Sequence, residues 1–275
     1  MNNLITRSLT GIVFVLVILG SVIASTWIFA VLFLFITVLT QLEFYRLMRK
    51  GAHQPQTYTG LAAGIFLYGT LAAGALGIAG PTGINLIILS IIPLVLVFIF
   101  TLFSGSSDAF GDIGLSLTGV FYIALPFGLL NYFYIPARLP GDVQYGVLFG
   151  FFLILWLNDT AAYLVGSAIG KHRLFERISP KKSWEGSVGG AVFALFTAWL
   201  LSGYFSAILL WQWLVMAIII VILGTLGDLV ESMLKRNLGI KDSGNILPGH
   251  GGMLDRFDAV LLSAPVVYVF IVLCT

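Results

Sequence analysis

Residues 211–233 read WQWLVMAIIIVILGTLGDLVESM, and no charged residue interrupts them before Asp228. A helix rises about 1.5 Å per residue, so about 20 apolar residues cross the roughly 30 Å hydrocarbon core of a bilayer. Backbone polar groups in lipid must be satisfied internally, and a helix does this within one segment. This stretch therefore predicts a transmembrane helix, the eighth along the chain.

Eight further apolar runs of similar length are separated by charged residues, glycine and proline. They lie at about residues 8–24, 26–47, 58–79, 83–103, 114–135, 144–165, 187–208 and 257–274. The sequence predicts an all-α polytopic integral membrane protein with about nine transmembrane helices.

Composition excludes several other classes of protein. The 275 residues are 59% hydrophobic and only 9% charged, whereas about 25% of a soluble domain is charged. A cytosolic enzyme is excluded, and so is a disordered chain. Cys274 is the only cysteine, which excludes a disulfide scaffold. A net charge of +2 excludes a strongly basic nucleic-acid binder. We expect a lipid bilayer as the environment and no nucleic acid as a partner.

The positions of lysine and arginine predict the orientation, because cytosolic loops carry an excess of both. With a cytosolic N-terminus and nine spans, 13 of the 14 basic residues fall on the cytosolic side and only Arg138 falls outside. The C-terminus is then outside. The cytosolic set is Arg7, Arg46, Arg49, Lys50, Lys171, Arg173, Arg177, Lys181, Lys182, Lys235, Arg236, Lys241 and Arg256.

Charge is also concentrated along the chain. From Asp159 onward lie eight of the twelve acids and nine of the fourteen bases. We therefore interpret residues 1–275 as one membrane domain, in which 1–150 are mainly scaffold spans and 151–275 form the catalytic half. Glycine pairs four residues apart favour tight packing within the chain, and they leave a homodimer open.

A polar stripe at the end of the eighth span is the first candidate site. Asp228, Glu231, Ser232 and Lys235 are separated by three, four and seven residues, so they share one helix face. An acid inside a span is costly and is by default functional. The alternative is a helix end that frays into water, with Lys235 and Arg236 as ordinary interface anchors.

The second candidate is the start of the ninth span, where Asp255 and Asp258 lie one turn apart. With Asp228 they would form a cluster of hard oxygen ligands, which suits Mg²⁺ better than zinc. Acids flanked by lysine and arginine are typical of sites where phosphates and a divalent ion meet. His250, between the two stretches, is equally well explained as a structural imidazole.

The third candidate comprises Asp159 in the sixth span and the basic loop that follows it. A polybasic belt held to anionic headgroups explains Lys171, Arg173 and Arg177. It explains Asp159 poorly, since an acid at that depth needs a partner. It also leaves unexplained the polar residues that surround the two adjacent lysines, namely Ser179, Ser183 and Glu185 around Lys181 and Lys182. Spacing and chemistry alone thus predict a cytosol-facing, Mg²⁺-dependent site for phosphate groups.

Three motifs resemble a known family. Residues 232–258 read SMLKRNLGIKDSGNILPGHGGMLDRFD, which is similar to the signature of the phosphatidate cytidylyltransferases, also called CDP-diacylglycerol synthases. Residues 179–186, SPKKSWEG, and 158–163, NDTAAY, resemble the same family. The family often has threonine where Ser183 stands, which preserves the hydroxyl.

The resemblance implies that CTP and phosphatidate are the substrates and that CDP-diacylglycerol and pyrophosphate are the products. It also implies that the reaction needs Mg²⁺, and it leaves open whether a second cation takes part. It further implies a bacterial cytoplasmic membrane location with the site facing the cytosol. In this interpretation Asp228, Asp255 and Asp258 would hold the metal. The groups assigned to catalysis are Lys181, Lys182, Lys235, Arg236, Lys241, His250 and Arg256. Those assigned to substrate binding are Asp159, Ser179, Ser183, Glu185, Ser232, Gly251 and Gly252.

Two rival functions remain on the sequence alone. A CTP-dependent lipid kinase would share parts of the C-terminal pattern and release CDP. A transporter or channel would use the acids as an ion path, but such proteins often carry matching inverted halves. Here the charges gather in one half of the chain, which argues against a transporter.

Overall fold

The computed structural model is almost entirely helical, and it describes residues 3–51, 53–78, 88, 90–136, 139, 143–240, 243–244 and 251–274. In this part of the chain, seven helices are long and apolar enough to cross a membrane. Two shorter apolar helices, Leu9–Ala24 and Ile91–Leu102, fall in the two remaining predicted spans. The polytopic helical fold is confirmed, while the count of nine and the orientation stay predictions.

Most of the long helices follow the predicted runs to within a few residues, and the helices and strands are numbered in chain order. They are α1 (Asn3–Ala24), α2 (Thr26–Lys50), α3 (Thr57–Ala75), α4 (Ile91–Leu102), α5 (Ala109–Gly119), α6 (Leu125–Leu129), α7 (Gly146–Ile169), β1 (Arg173–Phe175), β2 (Ser179–Ser183), α8 (Trp184–Tyr204), α9 (Leu210–Asn237) and α10 (Leu254–Cys274). A π-helical turn, Val120–Ala124, joins α5 to α6, and a 3₁₀ turn, Leu130–Phe133, follows. These four pieces make one span, Ala109–Phe133.

One element departs from an all-α protein. Strands β1 and β2 form an antiparallel hairpin in which Arg173 pairs with Ser183 and Phe175 with Ser179. The strands are short, and β2 contains Pro180 and two lysines. Such a segment lacks the alternation of apolar and polar residues that indicates a strand.

The chain divides into two compact units. The first comprises Met1–Tyr132 and Asn237–Phe257, and the second comprises Phe133–Arg236 and Asp258–Thr275. The predicted division near residue 150 stays a prediction.

Aromatic side chains form the core of the first unit. The ring of Phe257 lies edge-on to Phe127 and Phe33, with centroids 5.1 and 5.8 Å away. Phe33 also stacks on Phe29 at 4.2 Å. Such contacts stabilise beyond the burial of area alone, so they fix the first turn of α10 within this unit.

Tyr45 ties three segments of the first unit together. Its ring is fully buried, and its hydroxyl donates to the carbonyl of Ser116 at 2.7 Å. The ring packs directly against Gly60 of α3 and Gly119 of α5, where any side chain would collide with it. These two glycines are therefore required by the close approach of Tyr45.

Glycines also allow close packing in the second unit. A Cβ atom added at Gly186 of α8 would lie 2.7 Å from the Ala162 carbonyl oxygen and 3.1 Å from Gly166 Cα in α7. Small residues at such positions let helix backbones approach closely. This supports the interpretation of the glycine pairs as packing within the chain.

The tight fit around Tyr45 yields a stability prediction. We expect Gly60→Ala to lower the free energy of unfolding by about 1–3 kcal/mol, since its methyl group would overpack against the Tyr45 ring. Gly69→Ala in the same helix is the matched control, because nothing lies within 4 Å of that position. Thermal unfolding in detergent measures both variants. Equal melting temperatures would contradict the packing described here.

Candidate functional site

Three carboxylates gather in the second unit. Asp228 and Glu231 of α9 and Asp258 of α10 each place an oxygen within 4.8 Å of the others. Asp228 and Glu231 share a helix face because they are three residues apart. Gly227 lets the two helices approach, since a Cβ there would lie 3.0 Å from the Asp258 carbonyl carbon. We call these three residues the acidic cluster.

Two lysines pair with the acidic cluster. Lys182 Nζ lies 2.5 Å from Asp228 Oδ2, and it also donates to the Thr225 carbonyl at 3.4 Å. Lys235 Nζ lies 2.5 Å from Glu231 Oε2. Glu231 is only 1% exposed, and burial of a carboxylate requires such pairing. The lysines thus allow several acids to share a small volume.

Hydroxyl and amide groups complete the surroundings of the cluster. Ser232 Oγ donates to Asp228 Oδ1 at 3.2 Å. In α7, Asn158 Nδ2 donates to Asp159 Oδ1 at 3.1 Å. Asp159 is exposed and interacts electrostatically with Lys182 and Asp228. Asp159, Lys182, Asp228 and Ser232 therefore belong to one region, as their sequence motifs suggested.

The acidic cluster has the chemistry of a divalent-cation site. Mg²⁺ takes oxygen ligands at about 2.0–2.1 Å in octahedral geometry, so opposite ligands are about 4.2 Å apart. Any three ligands of one Mg²⁺ include adjacent pairs only about 2.9 Å apart, so the cluster oxygens, which lie within 4.8 Å of one another, would have to draw together around the ion. The acids also outnumber the two paired lysines, which leaves negative charge for a cation. Asp228, Glu231 and Asp258 would hold it.

Several predicted substrate-binding residues have local contacts at the hairpin. Ser183 is the N-cap of α8, and its hydroxyl accepts from Gly186 N–H at 3.1 Å. Glu185 accepts from the backbone N–H of Lys171 at 3.1 Å and contacts His172 Nδ1 at 2.6 Å. These two residues close the base of the hairpin. Their role toward a substrate stays a prediction.

The β2 strand separates its two lysines. Successive side chains of a strand point to opposite sides, so Lys182 reaches Asp228 while Lys181 is exposed. Ser179 begins the strand and is half-buried. The exposed Lys181 is thus the more accessible of the two to a soluble anion.

Asp255 lies in the first unit, where its carboxylate has backbone and hydroxyl partners. Its Oδ2 accepts from Ser243 N–H at 3.1 Å and from Gly252 N–H at 2.9 Å, and it lies 2.8 Å from Ser243 Oγ. Gly251 has a positive φ of 82°, which glycine adopts without strain. The predicted grouping of Asp255 with Asp228 and Asp258 stays a prediction.

The remaining predicted residues are partly outside the described structure. Arg236 lies in the last turn of α9 and is exposed, and Arg256 in the first turn of α10 is exposed as well. Lys241 and His250 lie outside the described residues.

Two acids outside the predicted set of site residues have buried contacts in the structure. Glu231 lies on the predicted polar stripe but is not among the predicted metal ligands, and its spacing of three from Asp228 is the signal that indicates it. Glu43 lay in the half interpreted as scaffold, yet it is 3% exposed and contacts Ser243 and Met253. No spacing in the sequence indicates a contact across 200 residues.

A comparison with protein families identifies a match over nearly the whole chain. Residues 5–274 match the model of the "Cytidylyltransferase family". The chain is also similar to the phosphatidate cytidylyltransferase of Bacillus subtilis, with 32% identity over 97% of each chain. The family resemblance of the three motifs is thereby confirmed.

Staphylococcal relatives are more similar over a shorter region. The phosphatidate cytidylyltransferase of Staphylococcus haemolyticus is 40% identical over 63% of this chain. That of Staphylococcus saprophyticus is 39% identical over the same share. The aligned part of the chain spans 64% of the length of these two relatives.

The acidic cluster yields a binding prediction that needs no substrate. We expect Mg²⁺ to raise the melting temperature of the purified protein, since a ligand at 100 times its Kd adds about 2.7 kcal/mol to stability. Asp258→Asn should abolish that rise. Asp112→Asn is the matched control, because Asp112 is a buried acid outside the cluster. A full Mg²⁺ response in Asp258→Asn would exclude the cluster as the cation site.

Proposed function

The chain belongs to the cytidylyltransferase family, and on that premise we propose that it transfers the cytidylyl group of CTP to phosphatidate. The products would be CDP-diacylglycerol, a precursor in phospholipid biosynthesis, and pyrophosphate. The acidic cluster with its two paired lysines is the observation that supports this proposal most directly. Closely spaced charges of both signs match a reaction between two phosphate groups at a divalent ion.

The proposed reaction forms one phosphorus–oxygen bond and breaks another. An oxygen of the phosphatidate headgroup attacks the α-phosphorus of CTP, and the bond from that phosphorus to the bridging oxygen of the β-phosphate breaks. Pyrophosphate leaves with the bonding electrons. A phosphate monoester has a second pKa near 6, so the attacking oxygen is already ionised at pH 7 and needs no strong general base.

Positioning and neutralisation of charge are therefore the main tasks of the protein. Lys182 is anchored by Asp228 and the Thr225 carbonyl, so its ammonium group is held in place before a substrate arrives. Lys235 is held by Glu231 in the same way. Lys182 retains one donor for a phosphate oxygen, since an ammonium group has three and its contacts with Asp228 and Thr225 use the others.

A bound Mg²⁺ would supply neutralisation of charge on the triphosphate. Asp228, Glu231 and Asp258 are the residues proposed to hold it, and Asp255 is retained from the family pattern as a further ligand. Lys181, Arg236 and Arg256 are exposed and would draw the anionic nucleotide toward the site by long-range attraction.

The proposed site lies at the cytosolic face of the bacterial cytoplasmic membrane. This placement would bring CTP from the cytosol to the basic loops, while the diacyl chains of phosphatidate stay in the bilayer. It depends on nine spans and a cytosolic N-terminus, which follow from the alternation of basic loops. A homodimer remains compatible with this arrangement.

The products distinguish this proposal from its rivals. Purified protein with CTP, Mg²⁺ and phosphatidate in mixed micelles should release pyrophosphate in equal amount to CDP-diacylglycerol. Asp255→Asn should stay folded and lose this transfer, whereas Asp112→Asn should retain it. Release of CDP without pyrophosphate would indicate a lipid kinase. Normal turnover by Asp255→Asn would remove Asp255 from the site.

Cysteine labelling tests the proposed orientation. Cys274 is the only cysteine, so Cys274→Ser provides a background without one. We expect Glu176→Cys, in the hairpin turn, to resist a membrane-impermeant maleimide in intact cells and to react in inverted vesicles. Tyr204→Cys, where the side chain is 79% exposed, should show the opposite pattern. Labelling of both sites from the same side would overturn the nine-span arrangement.

A further inference from the structure

Glu43 is a buried carboxylate near the end of α2, and its neighbours in the sequence do not explain why it is buried. The side chain is only 3% exposed. A carboxylate in such a place is tolerated when several donors satisfy its oxygens. The identity of those donors therefore indicates what the residue does.

The donors come from the segment that begins α10. Glu43 Oε2 accepts from Met253 N–H at 2.8 Å, and Oε1 accepts from Leu254 N–H at 3.3 Å. Leu254 is the first residue of α10, and the first N–H groups of a helix have no partner within it. Glu43 supplies acceptors for this helix start from the other end of the chain.

Ser243 connects Glu43 to Asp255. Its hydroxyl contacts Glu43 Oε1, and it also lies 2.8 Å from Asp255 Oδ2. The backbone N–H of Ser243 donates to the same Asp255 oxygen at 3.1 Å. A hydroxyl has one hydrogen, so it donates to one carboxylate at a time while keeping both in contact. The orientation of Asp255 thus depends on a residue that Glu43 holds.

Two glycines pack directly against the Glu43 side chain. A Cβ at Gly244 would lie 2.9 Å from Glu43 Cδ, and a Cβ at Gly252 would collide with Glu43 Oε1 and Ser243 Oγ. Only glycine lets the backbone approach the carboxylate this closely. Glu43 therefore fixes described residues on both sides of positions 245–250.

We propose that Glu43 is a positioning residue for the transfer reaction, which orients Asp255 and the Gly251–Leu254 backbone through direct hydrogen bonds and through Ser243. The inference rests on the proposed function, because it assigns Asp255 to the nucleotide site. Glu43 does not touch the substrates in this view. It holds the groups that do.

Glu43→Gln is the sharpest test. The amide keeps the size of the side chain but replaces one acceptor oxygen with an NH₂ group, which faces N–H donors and cannot accept from them. We expect kcat/KM for CTP to fall about 10- to 100-fold, as for residues that support metal ligands. The Mg²⁺ concentration for half-maximal activity should rise as well.

Asp112→Asn is the matched control for a structural effect. Asp112 is 1% exposed in the same unit, and it also holds a loop, since it accepts from Gln54 N–H at 2.7 Å and Ser106 Oγ at 2.6 Å. It should lose thermal stability without a change in KM or in the Mg²⁺ requirement. An identical response from Glu43→Gln would overturn the proposal, since Glu43 would then be merely structural.

A double variant tests the connection through Ser243. If both residues act on Asp255 together, Glu43→Gln combined with Ser243→Ala should lose little more activity than the worse single variant. Additive losses would contradict the connection. Hydrogen exchange provides a readout independent of turnover: the Met253 and Leu254 amides should exchange faster in Glu43→Gln. If the wild-type protein makes no CDP-diacylglycerol, the proposed function fails, and unchanged exchange would reject the role of Glu43 separately.

Discussion

The cost of an ionised carboxylate among apolar helices governs the arrangement of both units. An acid at the centre of a span costs about 2.5–3.5 kcal/mol on insertion scales, so each acid there needs donors or cations. In the second unit lysines fill that need, with Lys182 at Asp228 and Lys235 at Glu231. In the first unit backbone N–H groups and a serine fill it around Glu43. These buried and half-buried carboxylates are therefore found together with the cations or donors that stabilise them.

These two ways of satisfying an acid have different chemical consequences. Ammonium groups leave the acidic cluster polar and able to exchange partners, which suits a site where phosphates and a cation bind and leave. Backbone donors around Glu43 are fixed by the fold, which suits a structural support. Glycine makes both arrangements possible. Gly227 lets α9 approach the backbone of Asp258, and Gly244 and Gly252 let their backbone approach Glu43.

Hydropathy predicted most of the fold, because a bilayer requires long apolar helices whatever their sequence. Helices α2, α3, α7, α8, α9 and α10 begin and end within a few residues of the predicted spans. The hairpin was missed, since β2 combines Pro180 with lysines and has no alternation. In the site, helix spacing predicted the stripe of Asp228, Glu231 and Ser232. The contacts of Glu43 could not be predicted, because they join residues about 200 positions apart and follow no local period.

That long separation has a consequence for biosynthesis. Leu254 lies 211 residues after Glu43, and at about 5–20 residues per second a ribosome needs roughly 10–40 s to make the intervening chain. During that interval α2 has already emerged, and its carboxylate lacks the donors described here. The first unit can reach its final arrangement only when the start of α10 has been synthesised. Assembly of the first unit thus cannot be completed before the start of α10 has been made.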